Sequence, residues 1–172
     1  MAFVRYKTVK GKKYYQVVRN YREDGKHKQE VLCHLGAYRS LEEAIDGSRN
    51  GVEHVQDMFS YWSEEARHWL DEAQRRAMTM REVCGDDLSV NYEVPTREAA
   101  WAIVDAIDAE YDPYCSTEEW QRWKERLNAA EDLVSQTEQL DDAVYWANYF
   151  RSLLKDNRDR LAELLKVREE YF

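Results

Sequence analysis

The sequence predicts an α+β protein, mostly α: an N-terminal three-stranded antiparallel sheet followed by long amphipathic helices with coiled-coil-like heptads. Three observations predict it. The first forty residues alternate in side-chain type and are punctuated by Lys10-Gly11-Lys12 and Asp24-Gly25. Beyond them, apolar residues recur at heptad spacing over two long stretches. Only six Gly and two Pro occur in 172 residues, too few turn-formers for a chain of many short strands. This length suits one domain, or a small domain with a helical extension, and excludes a TIM barrel or a two-domain dinucleotide enzyme. With 44% hydrophobic and 34% charged residues, the chain is neither membrane-embedded nor disordered by composition.

The elements follow in order. Residues 2–9 and 13–22 form two strands around the Lys10-Gly11-Lys12 turn, the second rich in Tyr and Val. Glu23-Asp24-Gly25-Lys26 is a hairpin signal, and residues 27–35 form the third strand, ended by Gly36. Alternation sorts the faces. Val4, Tyr6, Tyr15, Val17, Val31, Cys33 and Leu35 are expected on an apolar face that needs a cover. Arg5, Lys7, Tyr14, Gln16, Asn20 and Lys28 are expected on the other, while Arg19 and Val18 break the pattern in opposite directions.

Ser40-Leu41-Glu42-Glu43 is a capping-box pattern that starts a short helix over the apolar face, and Gly47 and Gly51 mark an expected break. The domain division predicted is therefore 1–46 and 47–172. From Val52 one heptad position holds Val52, Phe59, Ala66, Ala73 and Met80. The other holds Val55, Trp62, Trp69, Arg76 and Val83, and this helix ends near Cys84-Gly85. Residues 86–95 connect to a helix that starts at Pro95-Thr96 and runs to about Tyr111. A second capping box, Ser116 to Glu119, opens a run through Trp120, Trp123, Leu127, Ala130 and Val134. Leu140, Ala147, Leu154, Leu161 and Arg168, with Ala143, Phe150, Asn157, Leu164 and Tyr171, continue it as one helix or a second.

Two sustained a/d patterns predict pairing, within one chain or between two. The expected seam is Phe59, Trp62 and Trp69 with Phe150, Leu154, Asn157, Leu161 and Leu164. Asn157 is either a register-setting polar residue or the wet edge of the seam. Trp62, Trp69, Trp120, Trp123 and Trp146 are expected in cores rather than around a cofactor.

The net charge of −9 hides an asymmetry. Residues 1–39 hold ten Lys/Arg and three Asp/Glu, a net of +7. The remaining fifteen basic and thirty-one acidic residues give −16. A basic part beside an acidic part points to nucleic acid, or to attraction between the parts. The cations expected at a nucleic-acid surface are Arg5, Lys7, Lys10, Lys12, Lys13, Arg19, Arg22, Lys26 and Lys28, with Tyr14 interleaved. A β-ribbon can enter a major groove, and Tyr14 or Tyr21 can stack on an unpaired base. The competing account is that these lysines keep a small sheet soluble and blunt its edges.

The segment YYQVVRNYREDGKHKQEVLCHLG resembles the N-terminal hairpin segment of some bacterial insertion-sequence transposases. The matching residues are Tyr15, Val18, Tyr21, Arg22, Gly25, Lys26, Val31, Leu32, Leu35 and Gly36. It is also similar to the start of other bacterial proteins that follow it with helices. The resemblance covers residues 1–46 and implies a DNA-associated module. The residues after Asp46 lack the strand–helix alternation of an RNase H-like catalytic domain, so no catalytic carboxylate carries over.

No P-loop, GxGxxG, HExxH, GxSxG or EF-hand pattern occurs. Cys33 and His34 are adjacent on a strand and so cannot chelate one metal together. No cofactor, metal or enzymatic activity is expected. Cys33, Cys84 and Cys115 form neither a disulfide framework nor a CxxC pair. No signal-like or membrane-spanning stretch is present, and the expected setting is cytoplasmic. The functional expectation is a non-enzymatic DNA- or RNA-binding protein whose helices self-associate or recruit a protein partner. The alternatives are an assembly module without nucleic acid, or an acidic inhibitor of a DNA-binding system.

Overall fold

Both hairpin turns form where the sequence places them. Lys10 and Gly11 adopt φ of 49° and 77°, and Asp24 and Gly25 adopt 52° and 75°. Positive φ at both central residues is the two-residue turn whose twist matches antiparallel strands. The computed structural model describes residues 2–84 and 95–172. The elements are β1 (Ala2–Val9), β2 (Lys12–Glu23), β3 (Lys26–Gly36), α1 (Leu41–Cys84), α2 (Arg97–Asp108) and α3 (Thr117–Tyr171). The strands form an antiparallel meander, β1-β2-β3, as expected. The connection over residues 86–94, with Asp86-Asp87, lies outside the described residues.

The chain falls into two compact units. The first holds Met1–Met58 and Phe150–Phe172, the second Phe59–Tyr149. Residue 46, the boundary expected from sequence, lies inside α1.

In the first unit, Val17, Cys33 and Leu35 of the sheet pack with Leu41, Ala44 and Ile45 of α1. The capping box holds: Ser40 Oγ accepts from the Glu43 amide at 3.1 Å, and Glu43 accepts from the Arg39 amide at 2.9 Å. The end of α3 supplies Leu164 and Val167 to the same core, a second cover that the sequence did not announce. Burial raises the Cys33 thiol above its usual range.

The expected break at Gly47 and Gly51 does not occur, since α1 runs unbroken through both. Gly47 has a different task. A Cβ there would land on the Tyr38 ring, within 2.8 Å of Cε1. The glycine lets that ring lie against the helix backbone.

The second unit is a three-helix core. Ala77 and Met80 of α1, Ala100, Ile103 and Ile107 of α2, and Ala130, Leu133 and Val134 of α3 form it. Thr96 caps α2 by accepting from the Ala99 amide at 3.2 Å. The helix stops at Asp108, three residues short of the expected end, and Trp123 Nε1 donates to the Ile107 carbonyl at 2.9 Å. Ser116 and Glu119 complete the second capping box at 2.8 and 3.3 Å. The Ser116 amide holds the Glu119 carboxylate below its usual pKa. Arg126 grips Glu110 through both Nη atoms and lowers that carboxylate likewise.

The question of one helix or two is answered by α3, a single helix of 55 residues. The heptad assignment on α1 drifts. Arg76 and Val83 are exposed, and Ala77 and Cys84 take their places inward. A straight helix has 3.6 residues per turn, so a strict seven-residue repeat slips by about 20° per heptad. Four heptads move the inward stripe on by one residue. Of the seam residues in the first unit, Leu154 and Leu164 are buried, and Phe150, Asn157 and Leu161 are half-buried. In the second unit Phe59, Trp62 and Trp69 are half-buried. Trp120 and Trp146 are exposed, against expectation. Trp146 instead stacks on Trp62, centroids 6.0 Å apart, with Tyr61, Tyr145 and Tyr149 at its edges. Among the described residues no helix is long and apolar enough to cross a membrane.

Candidate nucleic-acid interface

The register assigns each side chain of the meander to a face. Val4 pairs with Val17 and Val17 with Cys33, so these share the side covered by α1 and α3. Phe3 pairs with Val18, Arg5 with Gln16 and Lys7 with Tyr14, so these share the open side. Register shifts fall between Tyr15 and Gln16 and between Val17 and Val18, with the extra residues, Leu35 and Leu32, on β3.

A bulge inserts one residue and reverses the alternation beyond it. Val31 therefore pairs with Val18 on the open face rather than joining Cys33. Lys28 pairs with Tyr21 on the covered side rather than joining Arg5. Both depart from the simple alternation read in the sequence, and one inserted residue accounts for both.

The sequence-derived cations now divide. Arg5, Lys7, Lys12 and Arg22 lie on the open face with Tyr14. Lys10 sits in the first turn, and Lys26 follows the second, opposite Glu23. Lys13, Arg19 and Lys28 lie on the covered side. Lys13 sits 4.6 Å over the Tyr6 ring. Arg19 pairs with Glu30 at 2.5 Å and donates to the Tyr171 hydroxyl at 3.2 Å. That carboxylate raises the Arg19 pKa further. Lys28 pairs with Glu23.

On the open face, Arg5 and Arg22 meet amides and an imidazole instead. Arg22 donates to Nε2 of His27 from Nε at 3.2 Å and meets it from Nη2 at 3.1 Å. Arg5 Nη1 donates to the Gln29 amide oxygen, and Gln29 in turn donates to Asn20 at 3.1 Å. With its amide oxygen turned to the guanidinium, Gln16 accepts from Arg5 Nε at 2.5 Å and Nη2 at 2.6 Å. In reaching Gln29, the Arg5 side chain crosses the Phe3–Val18–Val31 row, and Val18 is fully buried although it faces outward.

Among the described strand residues, none on the open face is acidic, and the α3 residue Glu163 approaches only its edge, beside His34. The three acids of residues 1–39 are Glu23 and Glu30, on the covered side, and Asp24, in the second turn. The charge that the strands themselves place on this face is thus positive. Gln16 and Asn20 were legible as open-face residues, and alternation from Cys33 implies His34 there too, whereas Gln29 and His27, beyond the bulge, needed the register of β3 to be seen there. Among the described residues, no cluster of three or more His, Cys, Asp or Glu is placed to hold a metal ion.

Residues 4–76 match the family described as IS1634 family transposase, N-terminal domain. The match covers the whole meander after its first residues and continues into α1. It carries no catalytic domain. No curated protein and no solved structure matches the chain.

Proposed function

We propose that this chain is a non-enzymatic nucleic-acid-binding protein, with DNA as its ligand, and that the open face of the meander is the binding surface. The segregation of charge carries the proposal: the described strand residues place four cations and no carboxylate on one face, with the acids of the meander on the other side and in a turn. Cations not matched with carboxylates keep their charge for phosphates, whose condensed counterions are released on binding. The transposase N-terminal match over residues 4–76 supports DNA as the ligand. In this reading the helices serve self-association or capture of a protein partner, for which the exposed Tyr61, Tyr145 and Tyr149 offer surface.

The test is binding to a random-sequence 20-base-pair duplex across a salt series. Changing Lys7, Lys12 and Arg22 together to Ala removes three phosphate contacts. The log–log salt slope should then fall by about 2.7, at about 0.9 per phosphate. Changing Lys13, Arg19 and Lys28 together should move it far less. Equal effects from the two triples would remove the face assignment, and no binding by the unaltered chain would remove the proposal. Light scattering on the purified protein reads self-association separately.

A further inference from the structure

Resting on that proposal, we infer that the open face is a direct reader of base edges in the major groove of duplex DNA. Arg5 is its central specificity residue, Asn20 and Gln29 are accessory readers, and Gln16 positions Arg5.

Side-chain chemistry points the same way. Arg, Asn and Gln are the residue types that pair bidentately with guanine or adenine in the major groove. Here they stand together in the middle of the face, and the lysines and Arg22 stand toward its ends. That is the division between base contacts and phosphate contacts seen when a protein reads sequence. Arg5 is also held for the task. A guanidinium has five N–H donors. Gln16 takes those of Nε and one on Nη2, and Gln29 takes one on Nη1. One N–H remains on each Nη, which leaves two donors for guanine O6 and N7. The two amides fix the side chain without neutralising it.

Dimensions favour a duplex groove over a single strand. The outer strands of a three-stranded sheet lie about 10 Å apart, against a major groove about 12 Å wide and a minor groove about 6 Å wide. A single-strand platform needs aromatic rings close enough to hold successive bases. The exposed aromatics of this face are Phe3 and Tyr14. Phe3 lies opposite Val18, four residues along β2 from Tyr14, which is about 13 Å. The Arg5–Gln16–His34 row lies between them.

The experiment is selection from a library of duplexes with a randomised central segment, followed by titration of the enriched duplex, a scrambled duplex and the enriched single strand. A 7-deazapurine version of the enriched duplex removes the N7 acceptors. The full chain should enrich one sequence and should lose affinity for the 7-deaza probe. Arg5→Lys keeps the charge but loses the fork. It should lower the ratio of enriched to scrambled affinity by about 5- to 150-fold and leave the salt slope unchanged. Asn20→Ala and Gln29→Ala should lower the ratio less, with unchanged melting temperatures. Salt-dependent binding with no enriched sequence, a ratio indifferent to Arg5→Lys, or a preference for the single strand would each overturn this inference while leaving nucleic-acid binding intact. No binding to any probe would overturn both.

Discussion

The two faces of the β-meander are built from the same strands and treat charge in opposite ways. On the covered side, Arg19 and Lys28 are matched with Glu30 and Glu23, and Arg19 also meets Tyr171 from α3. On the open side, Arg5 and Arg22 meet only amides and an imidazole among the described residues. A basic sheet is therefore not one surface. Pairing on the covered side ties the meander to itself and to α3, and the cations of the open face have no such carboxylate partners among the described strand residues. Residue counts from the sequence cannot make this distinction, because they sum both faces.

The largest expected effect separates the faces by burial. Leu35 is fully buried among Ile45, Leu164 and their neighbours. Leu35→Ala should cost about 2–5 kcal/mol in a denaturant titration. Val31, half-exposed on the open face, should cost well under half as much when changed to Ala. Equal costs would break the face assignment that rests on the bulge.

Gly47 sharpens the account of the covered side. Glycine to alanine inside a helix normally gains about 1 kcal/mol. At Gly47 the new methyl meets the Tyr38 ring, so Gly47→Ala should lose about 1–3 kcal/mol instead. Adding Tyr38→Ala should restore the gain. A stabilised single variant would mean that the ring moves aside freely.

The next effect is electrostatic. Arg19→Gln should lower the melting temperature modestly, and salt should shrink the difference, because the ion pair is solvent-exposed. Arg5→Gln should weaken DNA binding, and any change in its melting temperature should be indifferent to salt, because the partners of Arg5 are amides. A reversal of these two outcomes would exchange the roles of the faces.

The smallest effect lies in the second unit and is pH-dependent. Arg126 lowers the Glu110 pKa, and a carboxylate lowered on folding stabilises above its unfolded value, about 4.3. That stability is lost as pH falls through the lowered folded value. The melting-temperature gap between the unaltered protein and Glu110→Gln should be constant from pH 7 to about 5 and should close below about 4. A gap that persists at pH 3 would remove the ion pair as its cause.

Much of the architecture was legible in the sequence, for local reasons. Lys10-Gly11 and Asp24-Gly25 name their turns because few residues tolerate positive φ. Ser40 with Glu43, and Ser116 with Glu119, name two helix starts because orphan amides need acceptors. Arg5, Lys7, Lys12, Tyr14 and Arg22 were legible as surface candidates from charge and alternation. Lys28 and Val31 were misplaced because a bulge has no sequence mark when the residues around it are all strand formers. Gly47 was read as a break because local propensity does not reveal that a ring from another segment occupies the space beside it. Val83 was placed inward because a strict seven-residue ruler slips by about 20° per heptad against a straight helix, and the less exposed position there is Cys84.

By itself, then, the sequence determined what short-range physics controls: three strands with two tight turns, capped helices, and a basic segment with the hairpin signature of a transposase N-terminal domain. Only the tertiary structure decided which cations are spent on carboxylates and which stay available. That choice depends on strand register and on α3, whose Tyr171 lies 152 residues from the Arg19 it meets. Contacts across such separations leave no periodic trace in the chain, because they are selected by packing and charge in three dimensions.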